Sequence, residues 1–380
     1  MTMPLSTTTR SLLPGTTVGK RTPRLWRHID PPLLYGLGML IALGLGILYS
    51  ASAQSLIIVE KQTMRILLAA MVMLIFSQIP PRIYYFWIPW FFLVGVVLLV
   101  LVLLLGDISK GAQRWLNLGF MRFQPSELMR LVVPAMVAWY LSDKELPPTL
   151  SQLGICAVLI LVPVLLIAKQ PDLGTAILIL LSGSFVIFLA GISWKIIASL
   201  STLAAAVLPL FWYVLHDYQR QRILTFLNPE SDPLGSGYNI IQSKIAIGSG
   251  GVFGKGWFNG SQAYLQFLPE HSTDFIFAVY SEEFGLLGAL VLLLIYSFII
   301  IRGFYISTQA QDSFTRLFAG GLVLTFAIYI LINIGMVCGV LPVVGIPLPL
   351  VSYGGTSIVT LLASFGILMS IHTHRKLVGT

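Results

Sequence analysis

Asp274 stands in the segment LPEHSTDF (Leu268–Phe275), where a polar stretch of chain gives way to an apolar run. An ionisable side chain at such a boundary is costly to desolvate and tends to be functional. Partial desolvation raises the proton affinity of a carboxylate, which suits a general base. The same pattern fits a helix N-cap, with Thr273 or Asp274 accepting from the free amides of the next helix, and the two roles are compatible. A second group is basic: Lys110, Arg114, Arg220, Arg222, Lys244 and Lys255. Clustered Lys and Arg can hold a phosphate or diphosphate, arginine through a bidentate fork. Each one singly also fits a solvated or headgroup-contacting loop, so the set carries the expectation. A third group is acidic. Glu127 in QPSE and Asp172 in KQPDLGT each follow a proline near an expected helix start, where the dipole favours a carboxylate. They fit caps, ligands of a divalent cation, or partners for the basic set. Glu283, about two helical turns beyond Asp274, has the phase to line the same cavity, and Glu282 less so. Asn333, Ser352 and Tyr353 fit helix-to-helix packing.

The elements that must position these residues are membrane spans. The chain has 380 residues, 56% hydrophobic and 10% charged, where a soluble domain carries roughly 25% charged. The net charge of +8 is spread over short loops between apolar runs, where it sets topology or meets anionic lipid rather than nucleic acid. Both cysteines, Cys156 and Cys338, lie inside apolar runs, which argues against a disulfide framework. The absence of a Cys/His cluster, a GxSxG and a P-loop speaks against zinc hydrolase, serine hydrolase and ATPase chemistry.

A bilayer core about 30 Å thick needs roughly 20 apolar residues per helix. Spans are expected near 32–53, 63–80, 84–106, 126–142, 150–168, 174–191, 194–215, 276–301, 316–341 and 350–371. No charged residue falls between Leu317 and Ile371, and Pro342, Pro347 and Pro349 break that stretch into two helices joined by a hairpin. The fourth span is short and carries Glu127 and Arg130. The expected fold is therefore an all-α polytopic membrane protein of about ten helices. A basic tail, 1–30, expected to be disordered, precedes a single transmembrane domain, 31–376, and a short end, 377–380. A large loop, 216–275, separates the seventh and eighth helices. Lys and Arg number about twelve on one side against seven in short segments on the other. That bias puts both termini in the cytoplasm, and Asp274 with the basic set on the outer face.

Ten ordered motifs resemble those of the SEDS family (shape, elongation, division and sporulation). They are SQIPPR (Ser77–Arg82), SKGAQRWLNLG (Ser109–Gly119), RFQPSE (Arg122–Glu127), QPDLGT (Gln170–Thr175), HDYQRQR (His216–Arg222), NPESDPLGSGYNIIQSKIAIGSGG (Asn228–Gly251), GKGW (Gly254–Trp257), FLPEHSTDFIFAV (Phe267–Val279), NIGMV (Asn333–Val337) and LPLVSYGG (Leu348–Gly355). The resemblance runs from about Asp30 to Lys376 and is closer to the elongation branch than to the division branch. One departure is Ser272, where the common pattern has histidine; the aspartate stays in place.

The resemblance implies a peptidoglycan glycosyltransferase of the bacterial inner membrane that polymerises lipid II, with inversion at the sugar, during elongation of rod-shaped cells. It implies Asp274 as the general base, and Lys110, Arg114, Trp115, Arg220 and Lys244 as the surface for lipid II and its diphosphate. Glu127, Asp172 and Glu283 become ligands of a cation or members of a charge network. The resemblance specifies no cofactor and leaves open a divalent cation, Mg or Mn. The implied partners are lipid II and the nascent glycan strand, a class B penicillin-binding protein (a transpeptidase), other elongation-complex membrane proteins and membrane lipids, with no nucleic acid. A flippase for the lipid-linked precursor, or a scaffold that only recruits a crosslinking partner, remains an alternative; a flippase is expected to spread charges through mid-membrane depth.

Overall fold

The structure is a computed structural model that describes residues 28–109, 112–117, 122–214, 217–232, 236–261 and 270–375. Most of the basic tail, Lys110, His216, part of the large loop and the 377–380 end lie outside the described residues.

Among the described residues, helices stand near each of the expected span positions. They are α1 (Pro31–Ala51), α2 (Leu56–Gln78), α3 (Pro81–Leu105), α4 (Pro125–Ser142), α5 (Leu150–Lys169), α6 (Leu173–Leu189), α7 (Trp194–Val214), α10 (Ile276–Thr308), α11 (Ser313–Val337) and α12 (Thr356–Thr373). The loop between α7 and α10 holds α8 (Asp217–Leu227), a 3-10 turn (Pro229–Ser231) and α9 (Ser236–Gly250). Six of the helices, α1, α3, α5, α10, α11 and α12, are long and apolar enough to cross a membrane, and α6 is a shorter apolar helix. The chain is a mostly helical, polytopic membrane protein.

Prolines and short polar side chains set the helix starts. Asp30 accepts from the Leu33 amide at 3.0 Å ahead of two prolines. Proline also opens α3 and α4, where its missing N–H costs nothing. Thr149 and Gln152 form a reciprocal capping box on α5, and Asp172 and Asp312 cap α6 and α11. Helix α4 falls outside the set of strongly apolar spans because it is central. It buries Val132, Val133, Ala135, Val137, Ala138 and Leu141, while its first turns carry polar groups that neighbouring helices cover. Helix α12 lies along α2, and Gly366 brings its backbone onto the Met73 carbonyl, an approach a Cβ would prevent.

Two departures from the expected spans have physical causes. The last span begins at Thr356 rather than near 350, and α11 ends at Val337 rather than near 341. Residues 338–355 are non-helical: three prolines lack an amide, Gly339 and Gly345 have φ of +70° and +77°, and the segment is tied elsewhere by side chains. The loop after α3 folds as a small antiparallel sheet, β1 (Asp107–Ser109), β2 (Ala112–Asn117) and β3 (Arg122–Phe123), in the order β1-β2-β3. Asp107 pairs with Trp115, and Leu116 with Phe123. This sheet, α8, α9, Asp274 and the 338–355 segment gather at one end of the bundle; Asp30, Arg302 and His372 meet at the other.

Candidate functional site

Asp274 occupies the turn that leads into α10 and is half-buried. The N-cap position of α10 is Phe275, so neither Thr273 nor Asp274 occupies it. Thr273 Oγ1 donates instead to the Glu270 carbonyl at 3.2 Å and its carboxylate at 2.7 Å. The backbone of the turn is held from the 338–355 segment and from α11. Asn333 Nδ2 donates to the carbonyls of Asp274, at 2.9 Å, and Ile346, at 2.6 Å. Ser352 Oγ donates to the Thr273 carbonyl at 2.6 Å and accepts from the Leu348 amide at 2.7 Å. The Tyr353 amide donates to the Ser272 carbonyl at 2.9 Å. Asn333, Ser352 and Tyr353 therefore hold this turn, which corrects the expectation that they pack spans together. The Asp274 carboxylate lies beside Gly345, whose Cβ position would be 3.5 Å from Oδ2.

A buried network of opposite charges runs through α4, α6 and α11. Arg130 Nη1 pairs with Glu127 Oε2 at 2.8 Å and also donates to the Tyr329 hydroxyl. Arg130 Nη2 donates to Thr175 Oγ1 at 3.0 Å, and the guanidinium lies over the Tyr329 ring, 5.2 Å from its centroid. Asp172, the cap of α6, accepts from the Thr175 amide at 3.3 Å and from Gln124 Nε2 at 3.1 Å. Arg114 approaches Asp172 Oδ1 at 3.7 Å and donates to the Pro171 carbonyl. Of the expected acids, Glu127 and Asp172 are brought together in this way.

The basic residues divide. Arg114 and Arg222 line one pocket with Asp172, Gly174, Pro342 and Val344. Arg222 Nη1 donates to the Val343 carbonyl at 3.3 Å, and Arg114 Nε is buried there without a hydrogen-bond partner. Lys244 lies on α9 against Gly339, whose missing side chain makes room for it. Trp115 is half-buried in β2. Arg220 donates to the Tyr213 carbonyl at 2.9 Å, at the junction of α7 and α8, and does not line the Arg114 pocket. Lys110 lies outside the described residues.

Glu282 and Glu283 serve another purpose. Glu282 Oε1 meets Lys255 Nζ at 2.6 Å and accepts from the Ser261 amide and hydroxyl, each at 2.9 Å. Glu283 accepts from Ser50 Oγ of α1. Both anchor the loop after α9, which corrects the expectation that Glu283 joins Glu127 and Asp172. Among the described residues, no three His, Cys, Asp or Glu side chains form a group fit to hold a metal ion. Glu127 is paired with Arg130, and Asp172 lies within ion-pair distance of Arg114. These donors do not fit a cation held by the protein alone.

Among the comparisons with known proteins, the family model described as "Cell cycle protein" (FTSW_RODA_SPOVE) matches residues 29–377. Peptidoglycan glycosyltransferase MrdB of Escherichia coli (strain K12) is 53% identical over 353 residues, 93% of this chain and 95% of the relative. Stage V sporulation protein E of Bacillus subtilis (strain 168) is 36% identical over 356 residues, 89% of this chain and 95% of the relative. A solved structure described as "Structural coordination of polymerization and crosslinking by a peptidoglycan synthase complex" aligns with a TM-score of 0.81 at 32% identity, over 92% of this chain and 98% of that one. The crystal structure of the rod shape determining protein RodA of Thermus thermophilus aligns with a TM-score of 0.69 at 26% identity, over 91% and 98%. The chain belongs to the FtsW/RodA/SpoVE family of cell-cycle proteins, the SEDS family whose motifs it carries.

Proposed function

We propose that this chain is a peptidoglycan glycosyltransferase that polymerises lipid II into glycan strands during cell elongation. The observation that carries the mechanism is Asp274, half-buried at one end of the bundle with its carboxylate beside Gly345, next to the Pro342–Val344 stretch that lines the pocket of Arg114 and Arg222. The donor sugar is α-linked to a diphosphate and the product is β-linked, so one inverting displacement is required. The acceptor hydroxyl oxygen forms the new bond to C1 as the bond from C1 to the diphosphate oxygen breaks. Asp274 takes the hydroxyl proton, and the bonding pair leaves with the diphosphate. Arg114 and Arg222 meet that growing negative charge, and Lys110, Trp115, Arg220 and Lys244 extend the substrate surface. No step runs through a metal ion.

In this proposal the Asp274 end faces outward, both termini are cytoplasmic, and the chain works beside a crosslinking transpeptidase. Charge depth favours an enzyme over a flippase. Among the described residues α1, α6 and α12 carry no Asp, Glu, Lys or Arg and α3, α5, α7 and α11 carry one each in a terminal turn, while the deeper charges Arg65, Arg130, Glu282 and Glu283 lie in the halves of α2, α4 and α10 nearer Asp274.

Purified protein in detergent, given lipid II, should produce glycan strands resolvable on a gel. D274A should lose roughly 10²–10⁴-fold in rate, the usual worth of a general base. Polymerisation at the wild-type rate by D274A would exclude Asp274 as the base. A wild-type protein that makes no glycan with its partner, yet moves lipid II between the leaflets of a vesicle, would support the transporter instead.

A further inference from the structure

We infer that Asn333 and Ser352 are positioning residues for Asp274, acting through the carbonyls of residues 273 and 274. This rests on Asp274 being the base. Two torsions connect a carboxylate to its backbone, so fixing the turn restricts the oxygens to a few rotamers. Asn333 is fully buried, and both of its bonds at this site are donations to carbonyls. Its Oδ1 is buried without a hydrogen-bond partner. A side chain kept there at the expense of an unpaired acceptor is one whose two donors are needed. One –NH₂ group thus ties the Asp274 carbonyl to the Ile346 carbonyl, next to Gly345, which faces the carboxylate. Ser352 adds the second tie, one residue earlier.

The clamp is itself supported from α2. Gln62, buried, donates from Nε2 to the Ser352 carbonyl at 3.2 Å and accepts from the Gly354 amide at 3.4 Å. Arg65 lies over the Tyr353 ring, 4.6 Å from its centroid. The turn before α10, the segment after α11 and the first turns of α2 are therefore tied together, and displacement of a reacting group by about 1 Å can cost on the order of 10²-fold in rate.

The test uses full-length protein in detergent with lipid II. N333D keeps the side-chain volume but replaces the –NH₂ donor group with a single carboxylate oxygen, and S352A removes the hydroxyl that S352T retains. N333D and S352A are expected to lower kcat by about tenfold or more, with KM for lipid II changed by less than about twofold. Amide exchange should rise at residues 270–276 and stay unchanged along α11. S352T should turn over close to wild type. Where N333D fails to fold, the Ser352 pair decides. Folded N333D and S352A with wild-type kcat, a loss confined to KM, or equal losses in S352A and S352T would each overturn the inference. D274A with wild-type turnover would instead remove the base assignment beneath it, whereas an inactive D274A beside fully active clamp variants would sink the clamp alone.

Discussion

A guanidinium buried among helices has to be neutralised and hydrogen-bonded, and Arg130 is both. Its side chain is 13% exposed and that of its partner Glu127 7%. Removing one member of such a pair strands the other charge, which costs about 3–5 kcal/mol, whereas removing both costs far less. E127Q should therefore lower the thermal midpoint in detergent strongly, and E127Q/R130Q should recover part of that loss; equal midpoints for the single and double variants would argue against a coupled pair. Part of this site was legible in the sequence. Glu127 and Arg130 are three apart on one helix face, and Asp274 marks where a polar loop meets an apolar run. Tyr329 was not, because its hydroxyl lies in a run without a charged residue, although its spacing of four from Asn333 puts both on one face of α11. The approach of Arg114 to Asp172 joins distant segments, and no local pattern announces it. The N-cap position falls one residue beyond Asp274: α10 starts after Phe275, and Thr273 turns to Glu270.

At the scale of elements, the kink in α10 explains why adjacent glutamates hold a loop rather than a cation. Gly285 has φ 64° and ψ −160°, a conformation open essentially to glycine alone, and it interrupts the helical hydrogen bonds. The freed groups find partners in the loop after α9. The Leu286 and Leu287 amides donate to the Gly251 and Val252 carbonyls at 3.0 and 3.1 Å, and the Glu282 and Glu283 carbonyls accept from Lys255 and Gly256 at 3.0 and 2.9 Å. A backbone broken at membrane depth survives only when its polar groups are satisfied in this way. A Cβ at Gly285 would collide with the Gly254 amide. Gly285→Ala should therefore cost at least about 1–3 kcal/mol of stability and expose residues 251–261 to protease; a variant as stable and as resistant as wild type would show that the loop does not depend on the kink. Apolar length and interrupting prolines were enough to place the long helices, since a helix in lipid must satisfy its own backbone. They could not place this kink, because Gly285 reads as one more small residue in an apolar run. Nor could they place the start of α12, where Ser352 and Tyr353 are drawn to the Asp274 turn, or the small sheet, whose strands are too short to show a period.

Across the whole molecule the two ends of the bundle are built for different tasks. The Asp274 end keeps its polar groups around pockets and loops. The opposite end is closed by one buried carboxylate that joins three helices. Asp30, 1% exposed, meets Arg302 of α10 through bonds of 3.0 and 2.6 Å and His372 of α12 at 2.8 Å, while capping α1. His28 stacks on His374 beside it, with ring centroids 3.9 Å apart. Burial by itself would raise the proton affinity of Asp30. The bonds from His372, Arg302 and the Leu33 amide, with the charge of Arg302, outweigh it and hold the carboxyl well below the usual carboxylate range. A carboxylate with a lowered folded-state pKa contributes stability that is fully present above its unfolded value of about 3.9 and is lost as pH falls through the folded value. The contribution from Asp30 should be level from neutral pH down to about pH 5 and should decline below about pH 4, where an unfolded chain takes up the proton that the folded chain refuses. In Asp30→Asn that share of the acid decline should disappear and the neutral-pH midpoint should fall, because Arg302 loses its counter-charge. Parallel midpoint-against-pH curves for the two proteins below pH 5 would show that this carboxylate does not fasten the closed end.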